Sequence, residues 1–365
     1  MNVMNFGLKD GICSLVLSAA LFAPGIISAQ GVIENPAKPT AANAGRILKL
    51  QEIWRVTDAA GTFFFKYPNR LRIAPDGSIF LQDDEELLKF SPDGKFLRNL
   101  FKKGEGPGEM STSFSYQIDG RELVIYDNNL RRLWRADQDG KLLSEIPVDK
   151  KVQRFLLGVY RNDFIFFRED APIAKSGIPG FVDFPNMIIL VSKDGKSETD
   201  VQPFFFKRYQ VSPGRGGMNW GNSLKAVSED GRFVSGFHGR EYLIEVMDLE
   251  QRKIVRRFKR DYPRIPESET KEQREWREGQ KLPKDDYKTD LINLVPNGSR
   301  IWAVTSTEDP DQGRLCDVFD ADGKFVDCFY LGAGRTLLRT VGDAIFVLES
   351  NKDETFRLVK YKILA

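Results

Sequence analysis

Residues 102–143 read KKGEGPGEMSTSFSYQIDGRELVIYDNNLRRLWRADQDGKLL, and the punctuation of this stretch decides the fold. Four short runs, FSYQI, ELVIYD, RRLWRAD and KLLSEIPV, are parted by turn residues, above all Asp119-Gly120 and Asp139-Gly140. Asp-Gly between short apolar runs is the strongest local signal for an antiparallel hairpin. The inner runs are continuously apolar and the outer ones alternate, as strands buried on two faces and then on one should. The same turns occur 43 residues earlier at Asp76-Gly77 and 46 residues earlier at Asp93-Gly94. A period of about 40 to 50 residues belongs to the four-stranded blade of a propeller.

Reading outward, the rhythm continues in both directions. Blade one runs through RLRIA, SIFLQ, ELLKFS and KFLRNLF; blade three through RFLLGVY, DFIFFRE, MIILVSK and ETDVQPFFF. Blade four uses LKAVS, RFVSGF, YLIEVMD and KIVRRFK, and blade five LINLVP, RIWAVTS, LCDVFDA and KFVDCFYL. Blade six has only LLRTV, AIFVLE and FRLVKYKIL before the chain ends. The unused segment ILKLQEIWRV, residues 47–56, alternates like an outer strand and can complete it, which removes the open edge of the ring. The expected fold is therefore all-β: a six-bladed β-propeller of four-stranded antiparallel blades over residues 46–365, closed by an N-terminal strand in the last blade.

The opening stretch also resembles the NHL repeat, with its Gly-x-Gly-Pro-Gly-x turn, a strand ending in Asp, an Arg-containing strand and a closing Asp-Gly-Lys. The likeness covers blades one and two, and reaches blades three and five through their Asp-Gly-Lys turns. It is similar to six-bladed propellers exported by bacteria. The resemblance implies the fold, and a function drawn from protein binding, RNA binding, lactonase or lyase chemistry.

Residues 1–29 carry Lys9, an apolar run from Ile12 to Ala23, the breaker Pro24-Gly25 and small residues ending at Ser28-Ala29, the pattern of a secretory signal peptide. No run is long enough to span a bilayer as a helix, so an extracytoplasmic protein without a membrane span is expected, periplasmic or secreted. Residues 30–45, with Pro36 and Pro39, read as a flexible leader. Among 365 residues, 54 Lys and Arg offset 52 Asp and Glu, which argues against a nucleic-acid partner held by bulk charge. A single histidine excludes any intrachain mechanism that needs two imidazoles. Nothing in the pattern calls for an oligomer, and a monomer is expected.

Long insertions fall at residues 169–186, 207–222, 259–289 and 305–313, all on the rim where second strands meet third and one blade passes to the next. Functional residues concentrate in loops on a rigid scaffold, so this rim beside blades three to five is the expected binding surface for a protein, peptide or glycan-like ligand. Its candidates are Phe181, Phe184, Arg208, Tyr209, Arg215, Asn219, Trp220 and Trp276, a mixture suited to stacking and to pairing with carboxylates; packing of loops onto the propeller is the plainer reading. Residues 268–281 read as a short charged helix capped by Ser268 and ended by Gly279.

The alternative function is a metal-assisted lactonase or lyase at the channel mouth. His238, in the HGRE turn on the same rim, is the candidate base. Asn69, Asn222 and Asp290, at the starts of inner strands, are candidate ligands in that alternative for a hard cation such as Ca²⁺; otherwise no cofactor is expected. The run KKGEGPGE lacks the Lys-Ser/Thr and following helix of a phosphate loop and reads as a blade-to-blade turn. Basic pairs such as Arg131-Arg132 and Arg256-Arg257 read as charges that blunt sheet edges. Lastly, CDVFDADGKFVDC folds as a hairpin around Ala321-Asp322-Gly323, which sets Cys316 opposite Cys328 and predicts a disulfide worth on the order of 2 to 3 kcal/mol.

Overall fold

Six four-stranded antiparallel sheets follow one another along the chain, each begun by an inner strand and ended by an outer one. This computed structural model describes residues 31–57, 63–149, 153–170, 180–210, 225–238, 241–350 and 355–364. The inner strands are Pro68–Ile73, Phe114–Asp119, Phe155–Tyr160, Lys225–Val227, Leu291–Asn297 and Arg335–Val341. Each touches the next and the last returns to the first, so the blades form a closed ring around a channel. Six apolar clusters fill the spaces between adjacent blades, one for each boundary. The strand Leu50–Val56 pairs antiparallel with Phe356–Ile363 and completes blade six, as the sequence predicts.

The repeated Asp-Gly turns have two physical causes. In the third-to-fourth turns, a side chain three residues before the glycine accepts backbone N–H groups: Asp137 from Asp139 and Lys141, Asp320 from Asp322 and Lys324. The glycine then rests on the preceding blade. A Cβ on Gly195 would lie 2.0 Å from the Pro147 carbonyl oxygen, and one on Gly323 would lie 2.7 Å from the Phe258 ring. Both have positive φ, so only glycine meets the two demands together.

The expected flexible leader is instead a strap. Ile33–Asn35 pairs in parallel with the outer strand Lys253–Arg260 of blade four, and Arg46–Ile47 pairs in parallel with Phe325–Tyr330 of blade five. The chain thus covers the outer edges of blades four and five before it completes blade six. Asn35 fastens it: its Nδ2 donates to the carbonyls of Lys259 and Gly323, and its Oδ1 accepts from the Phe325 N–H. Exposed edge groups and an aligned amide explain the order that the Pro-rich composition hides.

Three further expectations are corrected. Cys316 and Cys328 form no disulfide. The hairpin starts in the expected register, Phe319 opposite Phe325, but a β-bulge then sets Val318 opposite Asp327 and Cys316 opposite Phe329. One extra residue sends the two thiols to opposite faces: Cys316 joins the cluster toward blade six, and Cys328 packs against that toward blade four. The helix spans Lys271–Gly279 and is capped by Thr270, with Gln273 closing a capping box, rather than by Ser268. Much of the insertion-bearing rim is strand rather than loop. Gly180–Ser192 pairs with Glu198–Gln210 as a ribbon that outgrows blade three, and residues 305–313 lie within a hairpin of Arg300–Asp309 and Gly313–Phe319.

Candidate functional site

The blade-three ribbon brings Asn186, on its third strand, and Phe204, Phe205 and Phe206, on its fourth, against blade four. There they meet Lys225 at the start of the inner strand, Gly236 and Phe237 at the end of the second, and Glu245 on the third. These eight residues line a shallow recess open to solvent, whose enclosed room of about 10 Å³ holds about one water molecule. Gly236 shapes it, since a Cβ there would stand 3.1 Å from the Phe204 ring. The cavity lies between blades three and four on the rim that carries the insertions.

Its polar groups are few and held. Asn186 is fully buried; its Oδ1 accepts from Lys225 Nζ at 2.9 Å, while its Nδ2 has no hydrogen-bond partner among the described residues. Lys225 Nζ also stands 4.1 Å from the centre of the Phe167 ring. Burial pulls the Lys225 ammonium down to about 7, against the opposing pull of the Glu169 carboxylate. Glu245 accepts from Arg257 Nε at 2.7 Å, so its charge is matched. The residues that line this aromatic recess thus include an amine near neutrality and a buried amide, an arrangement that suits an apolar body bearing a carbonyl or carboxylate.

His238 follows Phe237, which places it one residue from the cavity wall. Burial lowers its pKa, with the Glu241, Lys207 and Asp183 charges next in effect. Its Nδ1 is buried without a partner among the described residues. Lys207 and Asp183, paired at 2.8 Å, sit on the ribbon. The histidine, the ribbon and the cavity are therefore one neighbourhood.

The other expected residues scatter. Phe181 stacks edge-on with Tyr209 at 5.2 Å and is 39% exposed, while Phe184 is buried against Phe206. Arg208 pairs by its backbone with Val182. Arg215, Asn219, Trp220 and Asn222 lie outside the described residues. Trp276 is 53% exposed on the connector helix between blades four and five. Asn69 donates to the Tyr67 carbonyl, and Asp290 accepts from Arg264 Nε at 3.0 Å, so both are engaged in local contacts. Burial raises the Asp290 pKa and its Arg264 partner opposes the rise. Among the described residues no group of three or more His, Cys, Asp or Glu side chains is gathered to hold a metal.

Sequence reasoning missed Asn186, Lys225 and Glu245. The signal was present in LKAVS and FPNMIIL, where a Lys and an Asn interrupt runs that are otherwise apolar. The strand ending in Asp has a structural role instead. Asp127 accepts from the Ser111 N–H and hydroxyl, and Asp83 from the Lys66 and Tyr67 N–H groups, so each carboxylate fixes the connection that enters its blade.

Comparison with solved structures supports the ring. A Bacteroides fragilis protein provisionally named as exported superposes with a TM-score of 0.57 at 11% identity, covering 92% of this chain and 100% of that one. A member of the duf4221 family from Bacteroides vulgatus gives 0.53 at 10% identity, covering 87% and 99%. A gluconolactonase from Xanthomonas campestris gives 0.47 at 12% identity, covering 89% and 98%. At such identities the likeness is one of fold. No curated protein sequence matches the chain. Residues 60–304, well over half the chain, match the pattern of a family described as a 6-bladed beta-propeller, and the chain belongs to that family, DUF5128.

Proposed function

We propose that this protein is an exported binding module that takes a peptide or protein ligand on the insertion-bearing rim, with an apolar side chain of the ligand laid over the recess between blades three and four. The carrying observation is the cavity that joins aromatic walls to a fully buried Asn186 Nδ2 with no partner among the described residues. An unmet buried donor costs about 1 to 3 kcal/mol, and a ligand carbonyl or carboxylate would recover it. Lys225 supports the same contact as a second donor. Phe205, 40% exposed, and Phe181 extend the apolar surface along the ribbon. An aromatic cavity with so few polar groups fits an apolar side chain better than a glycan, which asks for many hydrogen bonds. Export rests on the signal-like residues 1–29 and agrees with the provisional name of the Bacteroides fragilis neighbour.

Ligand-observed NMR with a panel of short peptides and oligosaccharides tests the reading. Peptides bearing an aromatic or branched side chain are expected to bind, and Asn186→Leu to weaken them about tenfold, the equivalent of one buried hydrogen bond. Oligosaccharides binding in their place, or peptide binding that Asn186→Leu leaves unchanged, would overturn it.

A further inference from the structure

Three arginines stand on two adjoining inner strands of the channel. Arg70 and Arg72 lie on the inner strand of blade one, and Arg339 on that of blade six, which contacts it. Arg72 pairs with Phe80 next to the last pair before the first-to-second turn, and Arg339 with Phe346 two pairs before its own turn. Both therefore stand at the mouth away from the insertions, so this region is separate from the cavity between blades three and four.

The guanidinium groups are fixed rather than loose. Gln117 Oε1 accepts from Arg72 Nε at 2.7 Å, and the other end of that amide donates to the Leu157 carbonyl, so one side chain bridges blades one and three. Arg70 occupies a β-bulge at φ 41°, in the left-handed region that costs a non-glycine residue about 1 to 3 kcal/mol. The Tyr116 hydroxyl donates to its carbonyl, and its Nη1 reaches Gln82 Oε1 and the Phe114 carbonyl. Arg339 Nε is buried with no hydrogen-bond partner among the described residues.

No carboxylate pairs directly with these charges. Among the described residues none lies within ion-pair distance of Arg70, Arg72 or Arg339, although 29 ion pairs are formed elsewhere. The Glu229 carboxylate acts on Arg339 only at longer range, from an exposed turn. Burial pulls the Arg72 guanidinium down to about 10, with the Arg339 and Arg70 charges adding to the effect. Yet by surface area Arg70 is exposed and the other two are only partly covered, so water and small solutes reach them. Partly covered like charges with donors left over are costly unless an anion joins them.

We propose that Arg72 and Arg339, with Arg70 farther along the same channel wall, form a binding site in the channel for a small anion with two or more oxyanion charges, a phosphate or a di- or tricarboxylate. Each guanidinium has five N–H donors, and few of them are used by the protein here. Gln117 and the Arg70 bulge hold the donors in place before the anion arrives, which lowers the ordering cost of binding.

Thermal unfolding of the full chain in inorganic phosphate, in citrate and in chloride, at matched pH and ionic strength, tests the site. A saturable rise in Tm above the chloride value is expected, because an anion that binds the folded state alone must stabilise it. Response to phosphate alone assigns a phosphoryl ligand, and response to citrate alone a carboxylate. Arg339→Met should raise Tm in chloride by relieving repulsion, and should weaken the anion about tenfold or more, whereas Arg121→Gln on the surface should keep the full response. Binding of phosphate followed directly by ³¹P line broadening reports on the folded wild type should the variant not fold. Equal Tm in all three salts, or an undiminished response in Arg339→Met, overturns the proposal.

Discussion

Replacing Lys225 by Met should change how stability depends on pH, and the size of the change follows from the site. Burial holds the folded-state amine at about 7, while lysine in an unfolded chain titrates near its ordinary value of about 10.4. Between these values the unfolded chain carries a proton that the folded chain lacks, so unfolding takes one up and stability rises with pH. Below about 7 the ammonium is charged in both states and the folded state bears the full cost of burying it. The slope approaches about 1.4 kcal/mol per pH unit inside the window, so Lys225 should add about 2 kcal/mol between roughly pH 7.5 and 9.5. Lys225→Met has no such proton, and its lost bond to Asn186 Oδ1 lowers stability alike at both values. Urea unfolding of both proteins at both pH values gives the double difference, in which the other titrating groups largely cancel. Parallel pH dependences in wild type and variant would refute the claim that this amine is desolvated at the cavity.

Asn35→Ala should lower stability by about 2 to 4 kcal/mol, because three hydrogen bonds between the strap and blades four and five are lost together; calorimetry checks it, and an unchanged Tm would mean the strap is held otherwise. In the absence of reductant Cys328 should react slowly with an aromatic disulfide reagent and Cys316 only after unfolding, since burial raises both thiols and takes Cys316 to about 12; a denatured protein with neither thiol reactive would restore the bridge. For the lactonase or lyase alternative, Ca²⁺ should raise Tm and a chelator should reverse it. An identical Tm with and without the ion would remove Asn69, Asn222 and Asp290 from consideration as ligands.

What could be read from the sequence was whatever repeats. Asp-Gly at Gly195 or Gly323 is demanded twice, by a positive φ and by the neighbouring blade, so the ring prints its own geometry into the chain in blades one, two, three and five. The closing strand was legible for the same reason, because blade six lacked a partner for Phe356–Ile363. What does not repeat stayed hidden. The strap is ordered by single contacts at Asn35, and the cysteines are parted by one bulge that no composition reports. The rim was located correctly as a region, but its aromatic residues turned out to be ribbon packing in part, with Phe184 buried against Phe206.

The site residues share a different signature, which is polarity placed where the repeat calls for apolar side chains. Lys225 and Arg339 both occupy inner strands, which also carry apolar residues such as Leu157 and Val227. Natural cores avoid such residues because taking a charge out of water is costly. Each is tolerated at a different mouth of the channel, Lys225 with an amide and an aromatic face, Arg339 beside two further arginines. If both are kept for ligands, removing either charge should weaken binding, with Arg339→Met more stable at neutral pH and Lys225→Met restoring a lost contact when Asn186 is made Leu in the same chain. A double variant less stable than Asn186→Leu alone would show that Lys225 serves the fold rather than the site.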